Sequence, residues 1–240
     1  MAGDTVKFHR VLMKLSGEAL LGSQPFGTDA QVVARIAGEI RAAVAEGFQL
    51  ALVVGGGNIF RGVAGAANGM DRAKADDIGM LATVMNALTL ENGLRRAGVA
   101  AQTFSAVPMP TICRPFQREE ARAALDAGQT VIFAGGTGSP FFTTDTTAAL
   151  RAAEMRCDAI LKGTSVDGVY SADPKVDPNA EYYQRISYDD VLNRDLRVMD
   201  GAAIALARDN DIPIVVFSMR EAGSLVNVLT GKTRCTTVTR

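Results

Sequence analysis

Lys14 stands inside the apolar run "RVLMKL", directly ahead of the Ser16-Gly17 turn. A charge in such a run is costly to bury unless an anion neutralises it, whether from the protein or from a ligand. Further along, "VVGGGNIFRG" (Val53 to Gly62) leaves a second apolar run through three consecutive glycines and reaches Arg61. Glycine gives up backbone entropy and contributes no side chain, so this chain must turn sharply or lie against something bulky. Two more runs end in the same way: "AGGTGSPFFTTD", which closes on Asp145, and "KGTSVDGVYSADP", which begins at Lys162. Glycine-rich turns at strand ends expose backbone N–H groups, and ligands of open α/β sheets bind there. A phosphoryl group in transfer needs cations on its nonbridging oxygens and positioning of both partners, with little covalent help. Lys14, Arg61, Asp145 and the four turns suit that task. The structural alternatives are a salt bridge for Lys14 and ordinary turns for the glycines.

Standard nucleotide fingerprints do not fit. A G-x-G-x-x-G series would need glycine at Phe60 when started from Gly55, and at Phe141 when started from Gly136. "GKT" at Gly231 to Thr233 has Val226 where a P-loop needs glycine, so Lys232 reads as a surface loop residue. The phosphate site is therefore assembled from several strand ends.

The elements that would position these residues alternate between β-rich runs and helical patterns, which is the mark of a parallel sheet covered by helices. Strands are expected at Arg10–Leu15, Gln49–Val54, from Val99, at Thr130–Ala134, Asp158–Gly163, "IPIVVF" and from Thr233. A helix is expected from Asp29 to Glu46, with Thr28 as its cap and Gly47 past its end. A long helical pattern through Ile78, Leu81, Met85 and Leu88 closes near Gly98, with Met80 and Met85 as core filling. Pro115 suits the first turn of a helix that ends at Gly128. Further helices are expected through "TTAALRAAEM", from about Gly201 to Arg208, and near Leu225. Asp167-Gly168 is a hairpin cue, and Pro174 to Tyr188 reads as a loop-rich excursion. The expected fold is one three-layer α/β/α domain over residues 1–240 around a mainly parallel sheet.

Composition limits the function further. The 240 residues are 48% apolar and 21% charged, an ordinary globular balance with room for a substantial core. Lys plus Arg number 25 against 26 Asp plus Glu, so no net basic field calls for nucleic acid or an anionic membrane. The longest apolar runs fall well short of a bilayer span, and the N-terminus has no apolar signal core, so a cytoplasmic location is expected. Cys113, Cys157 and Cys235 are scattered and odd in number, which signals free thiols rather than disulfides or a zinc site. His9 is the only histidine, leaving a histidine triad nothing to rest on.

Five motifs then appear in a recognisable order: Met13 to Leu20, Gly55 to Gly62, Asp76 to Asn86 ("DDIGMLATVMN"), Gly136 to Asp145, and Lys162 to Pro174. Together they resemble the bacterial uridylate (UMP) kinases of the amino acid kinase family nearly end to end. The one departure is Met13, where leucine is usual. The resemblance implies transfer of the ATP γ-phosphoryl group to UMP with Mg²⁺, giving UDP and ADP in pyrimidine nucleotide biosynthesis. It also implies an allosteric cytoplasmic homohexamer that needs neither nucleic acid nor membrane. By the same resemblance, residues 1–155 would form a UMP-binding lobe and 156–240 an ATP-binding lobe. Catalytic roles would fall to Lys14, Arg61, Asp145 and Asp200, the two aspartates orienting Lys14. ATP would meet Lys14, Leu15, Ser16, Gly17, Gly57, Arg61, Thr164, Tyr170 and Asp173. UMP would meet Gly56, with Asp76 on the ribose hydroxyls and Thr137, Gly138, Ser139, Pro140, Phe141, Phe142, Thr143 and Thr144 wrapped around it. No protein ligand for the metal is implied. Other readings are a carboxylate kinase such as acetylglutamate kinase, which leaves Asp76 without a use, and a nucleotide-binding storage or regulatory protein without turnover. An oxidoreductase lacks its dinucleotide fingerprint.

Overall fold

The apolar run Arg10–Leu15 forms β1 in the computed structural model, which describes residues 8–60, 69–196 and 198–240. Its period-two alternation sets the layering. Val11, Met13 and Leu15 point into the core on one face, and Leu12 into the core on the other.

Strands β2 (Gln49–Val54), β3 (Ala101–Ser105), β4 (Arg114–Pro115), β5 (Thr130–Ala134) and β6 (Ala159–Thr164) follow along the chain. A separate ribbon pairs β7 (Val169–Tyr170) with β8 (Tyr182–Tyr183). The main sheet is completed by β9 (Arg185–Ser187), β10 (Ile214–Ser218) and β11 (Cys235–Thr239). Its order is β4-β3-β5-β2-β1-β6-β10-β11-β9, and each pairing is parallel except that of β10 with β11.

Helices α1 (Ala30–Ala45), α2 (Arg72–Arg96) and α7 (Ser224–Leu229) pack on one face through Ile36, Leu90 and Leu225, among others. On the opposite face lie α3 (Arg118–Asp126), α4 (Thr144–Met155), α5 (Tyr188–Asn193) and α6 (Gly201–Asp209), anchored by Leu125, Ala149, Val191 and Ile204. The three-layer α/β/α architecture is the one expected. The four glycine-bearing turns end β5, β2, β1 and β6, which are neighbours in that order. One edge of the sheet therefore collects all four.

Several local expectations are corrected. The cap of α1 is Asp29, not Thr28, because the Asp29 carboxylate accepts from Gln31 N and Val32 N. Pro115 does not open a helix: it lies in β4, and α3 starts three residues later. Asp167-Gly168 does not turn a hairpin, since β7 pairs with β8 across the intervening loop instead of with β6. The excursion from Pro174 to Tyr188 contains β8, β9 and the first residue of α5.

The largest correction concerns α2. Ile78, Leu81 and Met85 are 38%, 46% and 56% exposed, so Met85 is not core filling, while Ala75, Ala82, Ala87, Leu90 and Leu94 are buried. Small residues let the helix lie close to the sheet, which leaves the large residues of its amphipathic pattern outside. Met80 is half-buried and faces the site described below.

Cys113 and Cys157 are buried and Cys235 half-buried, all free. Burial raises each thiol, Cys157 to about 12, so none is poised as a nucleophile. Among the described residues no helix is long and apolar enough to cross a membrane.

Candidate active site

Lys14 of β1 and Lys162 of β6 are register partners in adjacent parallel strands. Leu12 and Ile160, two residues before each lysine, both face the core beneath α4, so alternation points both ammonium groups toward that helix. Thr143 caps the start of α4, its hydroxyl accepting from Asp145 N at 3.0 Å and Thr146 N at 3.4 Å. The first turn of the helix thus holds Asp145 over both lysines. Its carboxylate meets Lys14 Nζ at 2.8 Å and Lys162 Nζ at 3.3 Å, and Lys162 also donates to Val198 O. The side chains of all three are under one-fifth exposed.

Burial acts to raise the Asp145 carboxyl, yet the two lysine charges and their hydrogen bonds outweigh it and hold it below the usual range. Burial lowers Lys162, and Lys14 beside it adds to that, against the support of Asp145 and Asp200. Two cations around one carboxylate leave a surplus positive charge at the carboxyl edge of the sheet. Phosphate is the natural complement.

Asp200 is committed elsewhere than expected. Its carboxylate caps α6 through Ala203 N at 2.8 Å and accepts from the hydroxyls of Thr143 and Thr146. It therefore orients the start of α4, and Asp145 with it, instead of Lys14.

The glycines of the two central turns have a reason internal to the protein. A Cβ on Gly17 would lie 2.7 Å from Gly57 N and 2.9 Å from Gly55 O. One on Gly56 would lie 2.8 Å from the Ala82 side chain and 2.9 Å from Gly79 O. The bulky object behind the triple glycine is thus the facing turn and α2. Ser16 caps the 3-10 turn Gly17–Leu20, its hydroxyl accepting from Ala19 N, and Leu15 ends β1 beside it. Arg61 lies outside the described residues, as does Gly62.

Two clefts approach the Lys14–Asp145–Lys162 cluster, one lined by Lys162 and the other by Thr143 and Thr144, which precede Asp145. The larger, about 560 Å³, is lined by Lys162, Thr164, Tyr170, Asp173, Val198 and others. It gathers the three residues expected around adenosine. Tyr170 donates to Asp167 at 2.6 Å, and the Tyr170 and Tyr182 rings meet edge to face at 5.4 Å, which braces that wall.

The smaller cleft, about 130 Å³, brings together Gly56, Asp76, Thr137, Ser139, Phe142, Thr143 and Thr144. Gly138 instead packs against Ala106, and Phe141, 67% exposed, stands outside with Pro140 beside it. Neither Phe141 nor Phe142, which is 53% exposed, packs the core. Phe141 holds a left-handed φ of 72°, a strained conformation for a bulky residue, and its N–H donates to Asp76 at 2.8 Å. Arg72 Nε donates to both oxygens of the Asp76 carboxylate at 2.9–3.0 Å.

Phe60, Gly79, Met80, Thr83 and Gly136 also line this cleft and were missed, as was Lys162 as a site residue. The signal for three of them was present, since Gly79, Met80 and Thr83 share the helical face of Asp76 at three-, four- and seven-residue spacing.

The sequence profile of the amino acid kinase family matches residues 9–218. A uridylate kinase of Zymomonas mobilis subsp. mobilis is 59% identical over 94% of this chain and 93% of its own length. That of Hyphomonas neptunium is 56% identical over 99% and 94%. Among solved structures, UMP kinase from Ureaplasma parvum superposes with a TM-score of 0.92 at 37% identity, covering 97% of this chain and 99% of its own. UMP kinase from Bacillus anthracis does so with 0.93 at 39%, covering 97% and 96%. A carboxylate clamped between two in-register lysines, glycine turns ending four adjacent strands, and these matches agree: the chain belongs to the amino acid kinase family.

Proposed function

We propose that the chain is an enzyme that transfers the γ-phosphoryl group of ATP to UMP, giving UDP and ADP. The observation that carries this reading is the Lys14–Asp145–Lys162 cluster at the junction of two clefts, because in-line transfer needs donor and acceptor on opposite sides of one cationic point. Close relatives named uridylate kinase over nearly the full length support the same substrates.

Lys14 and Lys162 neutralise charge on the nonbridging oxygens as it redistributes, and Asp145 keeps both ammonium groups fixed while they do so. Backbone N–H groups at Leu15, Ser16, Gly17 and Gly57 hold the ATP phosphates, with Arg61 beside them. Adenosine occupies the larger cleft against Thr164, Tyr170 and Asp173. UMP occupies the side of Gly56, Asp76 and the 137–144 loop. This divides the work between residues 1–155 and 156–240.

Mg²⁺ accompanies ATP in this reading and supplies further charge neutralisation on the phosphates. Asp145 is spent on two lysines, and among the described residues no group of three or more His, Cys, Asp or Glu could hold a metal. The fit is to an ion held by substrate phosphates and water, so no protein ligand is assigned. The exposed apolar residues Ile78, Leu81 and Met85 support an oligomer, read as an allosterically regulated homohexamer of the cytoplasm serving pyrimidine nucleotide synthesis. The test of the reading is a coupled assay with ATP across UMP, CMP, dTMP, GMP and AMP. UMP must be the preferred acceptor, and a flat response across all five would refute the assignment.

Asp76 gives a sharper test. Its carboxylate is held by Arg72 and Phe141 N, and ribose hydroxyls replace the latter when UMP binds. A site built around a hydroxyl loses strongly when that group is missing, since the buried acceptor is left unpaired. UMP should exceed dUMP clearly in kcat/KM, and Asp76→Ala should erase most of the difference. An unchanged ratio in the variant removes Asp76 from ribose recognition.

Lys162 sets the alkaline limb. A lysine serves an anion only while protonated, and one whose pKa is lowered gives up its proton earlier as pH rises. The expected kcat profile falls below the ordinary lysine value of about 10.4. Lys162→Arg, charged throughout, should abolish that limb while retaining measurable turnover. A limb that persists in the arginine variant belongs to another group.

A further inference from the structure

The turn after β2 is built like the start of a helix, with Ile59 N and Phe60 N both donating to Gly56 O at 2.9 Å. In the function proposed above, backbone groups of this turn face the phosphates. Their aim depends on what fixes the turn.

Two buried asparagines do so. Asn58, 4% exposed, lies on the turn itself, and Asn86, fully buried, reaches it from α2. Asn58 Nδ2 donates to Asn86 Oδ1 at 3.1 Å, and Asn86 Nδ2 returns a bond to Asn58 Oδ1 at 2.7 Å. The second hydrogen of Asn58 goes to Gly27 O at 2.7 Å, and that of Asn86 to Gly55 O at 2.7 Å. All four amide hydrogens and both amide oxygens are used. Gly27 N donates in turn to Asn58 O at 3.1 Å, and the Asn58 side chain abuts Gly17. One neutral pair therefore joins the turn after β1, the 22–27 loop, the turn after β2 and helix α2.

We propose that Asn58 and Asn86 are positioning residues for phosphoryl transfer, their reciprocal amide pair holding the Gly55–Asn58 turn where its N–H groups meet the transferred phosphate. The proposal rests on the assignment of that turn to the phosphate. A neutral pair suits the place, because it fixes geometry without adding a charge that would compete with the lysines. Aspartate keeps the shape but loses the donors, and leucine loses both donors and acceptors. A fully satisfied buried network specifies one arrangement, and replacing both asparagines removes the mismatch that a single replacement leaves between them, at the cost of the donors to Gly27 O and Gly55 O. Rate and stability can therefore be separated.

The test is steady-state kinetics with UMP and ATP, alongside thermal melting, on Asn58→Leu, Asn86→Leu and the double leucine variant. Misplacement of the turn by a fraction of an ångström to about 1 Å should lower kcat by roughly 30-fold or more. KM for both substrates should stay within about threefold, since a groove for each nucleotide survives. Because the pair acts as one unit, the double variant should be no slower than the slower single one, and it should melt no lower than the less stable single one. A folded double variant with kcat within threefold of the starting enzyme overturns the proposal. So do losses that multiply, or a fall that only tracks the folded fraction. If Asn86→Leu does not fold, the neutral Asn86→Ala carries the same expectations. Lys14→Ala measured in parallel separates the two levels. If Lys14→Ala is inactive and the asparagine variants are normal, only the positioning role fails. If Lys14→Ala is itself normal, the phosphate assignment beneath it fails.

Discussion

Replacing Lys14 with alanine lowers kcat at least about 10²-fold, the loss expected when one preorganised electrostatic stabiliser is removed from a water-poor site. The geometry explains why no neighbour substitutes. Lys162 is tied to Val198 O and to the far oxygen of Asp145, so it has no freedom to cover the vacated position. By sequence, Lys14 is a charge that is costly to bury without an anion beside it. The structure gives Lys14 a partner at 2.8 Å, and breaking a buried ion pair is costly when it strands a charge. Here Asp145 keeps Lys162, so the stranding is avoided and the melting temperature should drop by only a few degrees. Circular dichroism melts and single-turnover rates separate these quantities. A kcat within fivefold of the starting enzyme would make Lys14 structural and sink the mechanism.

UMP exceeds CMP by at least about 10²-fold in kcat/KM. Uracil presents an N3–H donor and an O4 acceptor where cytosine presents an acceptor and a donor, so fixed backbone groups can choose between them. The 136–145 loop is built for fixity. Thr137 Oγ1 donates to Ser139 O and accepts from Ser139 N, Gly138 N closes on Gly135 O, and Gly135 N donates to Thr83 Oγ1 of α2. The Thr143 hydroxyl is consumed by the α4 cap and by Asp200, which leaves the backbone and Thr144 as readers. Each mismatched buried group costs about 1–3 kcal/mol, so two multiply to roughly 30-fold at the low end and about 10³-fold in the middle of that range, which puts the expected preference at or above about 10²-fold. Breaking the internal brace with Thr137→Ala should narrow the preference more than it lowers the rate on UMP. Comparable kcat/KM on both nucleotides would mean a broad pyrimidine acceptor and would take the loop out of the specificity argument.

The strands were the most legible part of the sequence. β1, β2 and β5 have the expected bounds, because a parallel strand buried on both faces is a short apolar run with turn signals at each end. The glycine turns and Asp145 were equally plain, since a glycine or a charge beside an apolar run is a local anomaly. The outward face of α2 was not, because hydrophobic periodicity marks a stripe without saying what covers it. Alanines won the sheet side, and Ile78, Leu81 and Met85 were left out. Lys162 was visible as a charge at the end of a strand, yet nothing local gave it Lys14 as a neighbour. That depends on β6 crossing the sheet to pair with β1 in the register Lys14–Lys162, a contact between residues far apart in the chain. Sequence by itself determined the main elements, their layering and the glycine turns at the strand ends, all consequences of short-range patterning and burial. Only the tertiary structure decided which cations share a carboxylate, that Asp200 serves the start of α4, and that two asparagines lock the turns together, because strand order and side-chain facing are fixed by long-range packing.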